Sequence, residues 1–295
     1  MDVIIDTDIG DDIDDAFALS LALASPDVRI LGITTAWGDT ALRARLVGRL
    51  LALTQRSDIP IAVGIPTQDH VTFTQAHWAQ QFVASSPAQP RAVDFMLDQI
   101  RRRPGQITLV CIAPLTNVQA LIARDPATFR KLKRAVIMGG SMVRGYGNYG
   151  YLPAQGPSPE YNIVQDIPAA RAVLASGIPI AMLPLDATQV KLDEVRRDVL
   201  FADGTPLTDA LTLLYHQWSA LSPWGPTPTL FDPVAMAYTI DPALCPTTPM
   251  HIEVDDLGFT RSRPGPPNVA VCLAVHEDAF LQLLMNRLLA QHLGQ

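Results

Sequence analysis

Short apolar runs alternate with longer amphipathic stretches along most of the chain. A buried strand of a parallel sheet is a short, nearly continuous apolar run, whereas an amphipathic helix repeats its apolar positions about every 3.6 residues. The pattern predicts strands at 3–5, 28–35, 61–64, 106–112, 135–138 and 178–183, and helices at 16–23, 42–54, 91–103 and after Asn117. This alternation predicts an α/β fold with a mostly parallel open sheet and helices on both faces.

Three polar segments, at 66–90, 145–159 and 222–228, interrupt the alternation. They are rich in glycine, proline and aromatic residues, and we expect long loops there. Long loops in a compact domain are often lids over a site, although plain surface loops fit the same pattern. The sequence shows no linker, repeat or low-complexity run, so we expect one domain over 1–295.

The most unusual stretch follows the first predicted strand, where six aspartates fall within ten residues. They are Asp6, Asp8, Asp11, Asp12, Asp14 and Asp15. Two carboxylates 4 Å apart repel by roughly 4 kcal/mol at an effective dielectric constant of about 20. A helix N-terminus offsets only ~0.3–1 kcal/mol per charge, so the density indicates a bound cation. The ligands are hard oxygens, which favours Ca²⁺ or Mg²⁺ over zinc. Asp11 or Asp12 could instead be only an N-cap of the helix that follows.

The composition argues against several classes of function. The net charge of −7 argues against a nucleic-acid partner. Cys111, Cys245 and Cys272 show neither zinc spacing nor a disulfide framework, so each is predicted to be a small buried residue. No apolar run is long enough for a membrane span, and no basic segment or cleavage site precedes the first strand. We therefore expect a cytoplasmic protein.

Seven short motifs, taken in order, resemble those of the nucleoside hydrolase family, the inosine-uridine preferring nucleoside N-ribohydrolases. They are DTDIG at 6–10, DDA at 14–16, GD at 38–39, PLTN at 114–117, IMGG at 137–140, EYN at 160–162 and FDP at 231–233. Each motif alone is weak, but together they cover nearly the whole chain. The resemblance implies the Rossmann-like fold of that family and calcium-dependent hydrolysis of ribonucleosides to ribose and a free base.

The resemblance also implies roles for individual residues. The ligands of one Ca²⁺ would be Asp8, Asp15, Asp232 and the main-chain carbonyl of Ile112, with Asp8 also acting as the general base. Other residues would bind the substrate, with Asp14 at the 2′-hydroxyl and Asp39 near the metal-side carboxylates. Met138, Glu160 and Asn162 would contact the ribose. Of these, Glu160 would lie at the 5′-hydroxyl and Asn162 at the diol. The family is usually dimeric or tetrameric, so a homodimer or homotetramer is expected.

The chain departs from the family pattern at three places. Three residues, 11–13, separate the glycine from the aspartate pair where the family usually has one. We align Asp14 and Asp15 with the pair, because the distance to Gly38 then agrees with the family; an ungapped alignment would use Asp12 and Ile13. A further ribose-binding asparagine of the family has only Asn148 as a weak match.

The third departure is Phe231, which stands where the inosine-uridine type has a histidine, the proposed acid for the leaving base. Phe231 cannot donate a proton, so we predict that it stacks on the base, as the aromatic residue of the purine-specific type does. Trp78, Trp218 and Trp224 are candidates for a second aromatic wall. Stacking favours the larger rings of purines, so a purine preference is predicted.

The chemistry of the cluster supports this reading independently. A metal that binds a diol orients a sugar and lowers the pKa of water, and a nearby carboxylate then acts as base. Ordinary glycosidases instead place two carboxylates on either side of the bond. Two alternatives remain open: a phosphatase of the haloacid dehalogenase type, which also begins with a strand and Asp-x-Asp, and a catalytically silent calcium-dependent ribose or nucleoside binder.

Overall fold

The computed structural model describes residues 1–68, 72–80, 82, 91–147 and 155–290, and ten strands lie within them. They are β1 (Asp2–Thr7), β2 (Arg29–Thr35), β3 (Ile61–Val63), β4 (Ile107–Ile112), β5 (Arg134–Met138), β6 (Ile180–Leu183), β7 (Thr247–Met250), β8 (Ile252–Val254), β9 (Thr260–Ser262) and β10 (Val269–Cys272). Eight of them form one sheet in the order β3-β2-β1-β4-β5-β6-β10-β7, while β8 and β9 form a separate antiparallel pair. Within the large sheet only β7 runs antiparallel to its neighbour.

Thirteen α-helices lie in the same described residues. They are α1 (Asp14–Leu23), α2 (Thr40–Leu53), α3 (Ala76–Ala79), α4 (Ala92–Arg102), α5 (Thr116–Arg124), α6 (Pro126–Phe129), α7 (Tyr161–Val164), α8 (Ile167–Leu174), α9 (Leu185–Thr188), α10 (Glu194–Ala202), α11 (Pro206–Leu221), α12 (Phe231–Ile240) and α13 (Glu277–Leu289). A short 3-10 helix, Pro242–Leu244, follows α12.

The sheet separates two apolar cores, which is why its strands are apolar on both faces. Val3 and Ile5 of β1 pack with α1, α2 and α11 to α13, whereas Ile4 packs with α4, α5 and α8 on the other side. Side chains that alternate across a strand therefore enter different cores. The predicted α/β fold, with a mostly parallel sheet and helices on both faces, is confirmed.

The last four strands and the helices α10 to α13 were not among the predicted elements. β7 carries a proline and is partly exposed, and β8 and β9 have three residues each, so none shows the apolar run of a buried strand. No helix in the part of the chain that the structure describes is both long and apolar enough to cross a membrane.

The prediction that all three cysteines are unpaired is wrong for two of them. Cys245 and Cys272 form a disulfide with their Cα atoms 5.7 Å apart, although 27 residues separate them in sequence. The pairing arises because β7 runs antiparallel to β10, with Thr247 opposite Cys272, and Cys245 lies just before β7. Only tertiary pairing brings the two together. Cys111 is free and buried, as predicted.

Candidate active site

Three neighbouring strands end at one edge of the sheet, and a predicted site residue stands at each end. Asp8 follows β1 directly, Ile112 is the last residue of β4, and Met138 is the last residue of β5. Thr7 pairs with Ile112 in the parallel ladder, so the chain leaves β1 at Asp8 beside the end of β4. This is the carboxyl edge of the sheet, where open α/β folds bind their ligands.

Two helices bring further carboxylates to this edge. Asp14 and Asp15 lie in the first turn of α1, and Asp232 lies in the first turn of α12. The Asp232 backbone N–H donates to Oδ2 of Asp14 at 3.3 Å, and the Thr7 hydroxyl donates to Asp15. One oxygen from each of Asp14, Asp15 and Asp232 lies within 4.8 Å of the others. Asp14 and Asp15, rather than Asp12 and Ile13, thus join Asp232.

Asp8 completes a group of four buried carboxylates. Burial raises the pKa of Asp8, Asp14, Asp15 and Asp232 well above the usual range, and repulsion between neighbouring carboxylates raises it further. Asp8 is among the charges that raise the pKa of Asp14, Asp15 and Asp232, so it lies within their electrostatic reach. These four carboxylates can all be ionised together only beside a positive charge, so the group could hold a cation.

The donor set fits a divalent cation with hard-oxygen preference. The side chains of Asp8, Asp14, Asp15 and Asp232 are each at most 5% exposed and offer only carboxylate oxygens. The three carboxylates that lie closest together include Asp14, for which the sequence predicted a ribose contact instead. Ile112 ends β4 at the same edge and is buried.

Asp11 and Asp12 lie in the turn between β1 and α1, and neither occupies the predicted N-cap position of α1. The N-cap position of α1 is Ile13, which has no side-chain cap, so neither aspartate caps the helix in the usual way. Asp12 accepts the Ile13 N–H at 2.7 Å, and Asp11 accepts the Asp12 N–H at 3.0 Å. Burial raises the pKa of Asp12 to about 6.

A buried arginine stands beside the carboxylates, and sequence reasoning missed it. Arg43 of α2 is fully buried and donates to the carbonyls of Trp37 at 2.7 Å and Ile9 at 3.0 Å. Its Nη1 lies 3.6 Å from Oδ1 of Asp11, and its charge lowers the pKa of Asp8 and Asp11 against the effect of burial. A charged residue within the predicted helix 42–54 gave no signal that this side chain points inwards.

Asp6, which begins the DTDIG motif, is held in a polar network, and its charge is among those that add to the effect of burial on the pKa of Asp8. Its Oδ1 accepts from the Thr34 hydroxyl and from Nδ2 of Asn117 at 2.9 Å, and burial raises its pKa to about 6. Asn117 also bonds the Thr35 carbonyl and accepts the Ile65 N–H at 2.9 Å. The PLTN motif therefore ties β1, β2 and the chain after β3 together.

Met138, Glu160 and Asn162 come together at the end of β5. Glu160 is the N-cap of α7, and its buried carboxylate accepts the backbone N–H groups of Asn162 at 3.0 Å and Ile163 at 3.2 Å. It also accepts the N–H of Gly140 at 3.0 Å, a glycine with φ of +90°. Burial dominates and raises the pKa of Glu160 to about 7. Nδ2 of Asn162 donates to the Met138 carbonyl at 3.2 Å.

Phe231 is half-buried at the start of α12, and its ring has an aromatic neighbour that the sequence did not predict. The rings of Phe231 and Tyr146 lie with centroids 6.1 Å apart at an interplanar angle of 80°. Trp218 is buried near Asp12, whose pKa it lowers slightly. Trp78 lies in the core with Arg49 over its ring, and Trp224 is 77% exposed.

Two further predicted positions are Asp39 and Asn148. Asp39 is exposed and caps α2, accepting the Leu42 N–H at 2.8 Å. Asn148 lies outside the residues that the structure describes.

Comparisons with known proteins agree along the chain. The family model for inosine-uridine preferring nucleoside hydrolase matches residues 3–282. A pyrimidine-specific ribonucleoside hydrolase, RihA, of Citrobacter koseri is 32% identical, and the alignment covers 97% of each protein. The solved structure of the plant nucleoside hydrolase PpNRh1 gives a TM-score of 0.85 at 26% identity, covering 98% of this chain and 99% of that one.

A purine-preferring ribonucleoside hydrolase from Gardnerella vaginalis gives a TM-score of 0.82 at 25% identity, with 98% of both chains covered. These matches exclude the phosphatase alternative, since they run from the first strand to the last helix. The chain belongs to the inosine-uridine preferring nucleoside hydrolase family, and it is a ribonucleoside hydrolase.

Proposed function

We propose that this protein hydrolyses the N-glycosidic bond of ribonucleosides with one bound Ca²⁺, and that it prefers purine bases. The observation that carries the proposal is the group of four buried carboxylates, Asp8, Asp14, Asp15 and Asp232, at the carboxyl edge of the sheet. Ca²⁺ takes six to eight oxygen ligands at about 2.3–2.6 Å, and this group offers oxygens only.

The cation would be held by Asp8, Asp15, Asp232 and the Ile112 carbonyl, with Asp14 at the edge of the same group. When bound, a divalent cation supplies positive charge that orients the ribose diol and makes a nearby water more acidic. Its charge would also offset the burial and the mutual repulsion that raise the pKa of these carboxylates.

Asp8 is the general base in this proposal. It takes a proton from water as the water oxygen forms a bond to C1′ of the ribose. The bond from C1′ to the base nitrogen breaks, and its electron pair leaves with the base, which then takes a proton from solvent. Arg43 beside Asp8 favours the ionised carboxylate that this step needs.

The ribose is held from two directions. Asp14 accepts the 2′-hydroxyl from the side of α1, while Glu160 and Asn162 approach the 5′-hydroxyl and the diol from the start of α7. Both of these side chains are buried and fixed by backbone hydrogen bonds, which supports a preorganised sugar site.

The purine preference rests on Phe231. Its ring is half-buried at the first residue of α12, next to Asp232, and an aromatic face against a base contributes ~1–3 kcal/mol by alanine substitution. Trp218 remains a candidate for a second wall, because its side chain forms a hydrogen bond with Asp12 in the turn after β1. Asp39 at the end of β2 is kept as a candidate contact that the resemblance implies.

We also infer a homodimer or homotetramer. Leu213, Leu221 and Trp224, on α11 and the loop after it, expose large apolar side chains that an interface between copies would bury. Light scattering on the purified protein measures the mass. A monomer at micromolar concentration contradicts this inference.

The decisive experiment is a substrate panel. Purified protein is incubated with the common ribonucleosides and 2′-deoxyribonucleosides, and released sugar and base are measured by a reducing-sugar assay and chromatography. We expect ribose from purine ribonucleosides first, and up to ~10⁴-fold slower cleavage of the deoxy compounds, because a site built to bind a hydroxyl rejects its absence. Binding of nucleoside without release of ribose would instead identify the silent binder.

Two further experiments test calcium binding and recognition of the nucleobase separately. Calorimetric titration of EDTA-treated protein with Ca²⁺ is expected to show one site, which Asp15→Asn weakens. Phe231→Ala should slow purine cleavage by about 10-fold or more while calcium binding stays intact. A wild type that prefers uridine, or unchanged purine cleavage by Phe231→Ala, contradicts the stacking argument.

A further inference from the structure

Tyr146 lies between β5 and α7, and its backbone is fixed on both sides by one amide. Nε2 of Gln189 donates to the Gly145 carbonyl at 3.1 Å, and Oε1 of Gln189 accepts the Gly147 N–H at 3.1 Å. The Tyr146 N–H donates to the Ser158 hydroxyl at 3.3 Å. The ring is therefore presented to the site from a defined stretch of backbone.

The hydroxyl of Tyr146 reaches the start of α7. It accepts the backbone N–H of Tyr161 at 3.0 Å, and it acts as a hydrogen-bond donor to the carboxylate of the preceding residue, Glu160. Desolvation of its hydroxyl raises the pKa of Tyr146 well above the usual value, and the carboxylates of Glu160, Asp14 and Asp12 raise it further, so the hydroxyl keeps its proton. A hydroxyl that keeps its proton can donate to Glu160 throughout the neutral pH range.

The ring of Tyr146 meets the other end of the site. It stands nearly perpendicular to Phe231, with the ring centroids 6.1 Å apart. Two aromatic rings at a right angle form a corner, and a flat base packed on one ring meets the face or edge of the second. Tyr146 thus connects Phe231, the residue proposed to stack on the nucleobase, with Glu160, the residue proposed to bind the 5′-hydroxyl.

We propose that Tyr146 is a further substrate-positioning residue of this hydrolase: its hydroxyl holds the Glu160 carboxylate towards the ribose 5′-hydroxyl, and its ring forms the second aromatic wall of the base site with Phe231. The inference rests on the proposed function, since it needs the roles given there to Glu160 and Phe231. It also assigns the second wall to a residue other than the three tryptophans.

The test compares three variants on two substrates. Tyr146→Phe removes only the hydroxyl, Tyr146→Ala removes the ring as well, and Tyr238→Phe is the matched control. Tyr238 lies on α12 beside Arg134, outside the site. The substrates are inosine and 5′-deoxyinosine, which lacks the hydroxyl that Glu160 would bind. Melting temperatures are recorded for all variants.

We expect Tyr146→Phe to lose about 10-fold in kcat/KM on inosine, in line with the loss of one hydrogen bond to a charged group. On 5′-deoxyinosine the loss should be less than about twofold, because the contact that the hydroxyl supports is absent. Tyr146→Ala should lose a further ~10-fold on both substrates, since the base wall is gone. Tyr238→Phe should match the wild type.

An equal loss on both substrates by Tyr146→Phe, or no loss on inosine, overturns the positioning role while leaving the proposed function intact. Failure of the wild type to release ribose from any ribonucleoside overturns the proposed function, and this inference with it. A purely structural effect of Tyr146 would lower the melting temperature and slow both substrates alike, which also counts against the proposal.

Discussion

At the scale of residues, the fully buried Arg43 and four buried carboxylates, Asp8, Asp14, Asp15 and Asp232, make up the candidate site. The carboxylates repel one another, and Arg43 lies close enough to offset part of that repulsion at Asp8 and Asp11. The guanidinium also satisfies two backbone carbonyls of the loops after β1 and β2. Arg43 therefore contributes to both the stability and the electrostatics of the site.

Replacing Asp8 by asparagine tests the general base. Asp8→Asn keeps the size of the side chain but cannot take a proton, so we expect turnover of ribonucleosides to fall at least ~10²-fold. Asp58→Asn is the matched control, since Asp58 is exposed and pairs with Arg56 far along the chain from the site. Near-normal turnover by Asp8→Asn would refute its role as base.

Replacing Arg43 by methionine tests its structural contribution. The change leaves the buried carbonyls of Ile9 and Trp37 without their donor, at a cost of ~1–3 kcal/mol each, so the free energy of unfolding should fall by roughly 2–5 kcal/mol. Arg45→Met on the same helix is the control, because Arg45 is only half-buried. Urea titrations of the metal-free proteins give the comparison. Equal stability of the two variants contradicts the prediction.

At the scale of elements, the first turns of short segments carry the site. α1 and α12 both carry aspartates in their first turns. α7 is only four residues long, yet its N-cap Glu160 accepts three backbone N–H groups. These elements derive their stability from packing rather than from length, because isolated helices of this size are marginal. We therefore expect titration of Glu160, the N-cap of α7, to change the free energy of unfolding.

Glu160 gives a pH dependence of known sign. Its pKa rises from 4.5 to about 7 because burial outweighs its hydrogen bonds. A folded-state pKa above the unfolded value means that the stabilisation is complete below about pH 4.5 and is lost as the pH rises through about 7. In EDTA, Glu160 should therefore lower the unfolding free energy of the wild type by roughly 3 kcal/mol between those pH values. The Glu160→Gln variant should lack this decrease. Parallel pH profiles of wild type and variant contradict this.

At the scale of the whole molecule, the disulfide joins the antiparallel edge of the sheet to its parallel part. Cys245 precedes β7, and Cys272 ends β10, so the bond closes a loop that contains β7 to β9. Closing a loop of this length lowers the entropy of the unfolded chain, which contributes roughly 3–4 kcal/mol in the loop-closure description.

The disulfide predicts a thiol count and a stability change. Under denaturing conditions, alkylation should label only Cys111 before reduction and all three cysteines after it. Cys245→Ser should lower the free energy of unfolding by about 3 kcal/mol. Cys111→Ser is the control, because it replaces a buried thiol that forms no disulfide. Three labelled thiols in the unreduced protein contradict the pairing.

The family and the parallel part of the fold could be predicted from the sequence because the signals are local. Strands buried on both faces require continuous apolar runs, and the carboxyl end of β1 is marked by the aspartates that follow it within a few residues. The motifs around Glu160 and Asp232 are equally compact, so each could be found without knowledge of its neighbours.

Other features depend on residues far apart in the chain, and only the tertiary structure decides them. The pairing of Cys245 with Cys272 needs the antiparallel register of β7, and the burial of Arg43 needs loops from two strands. Tyr146 meets Phe231 across 85 positions, and Asp39 faces solvent as a helix cap. Hydrophobic periodicity and short motifs determine which segments are buried and which carry chemistry; the directions of side chains across a site follow from packing, which no local pattern encodes.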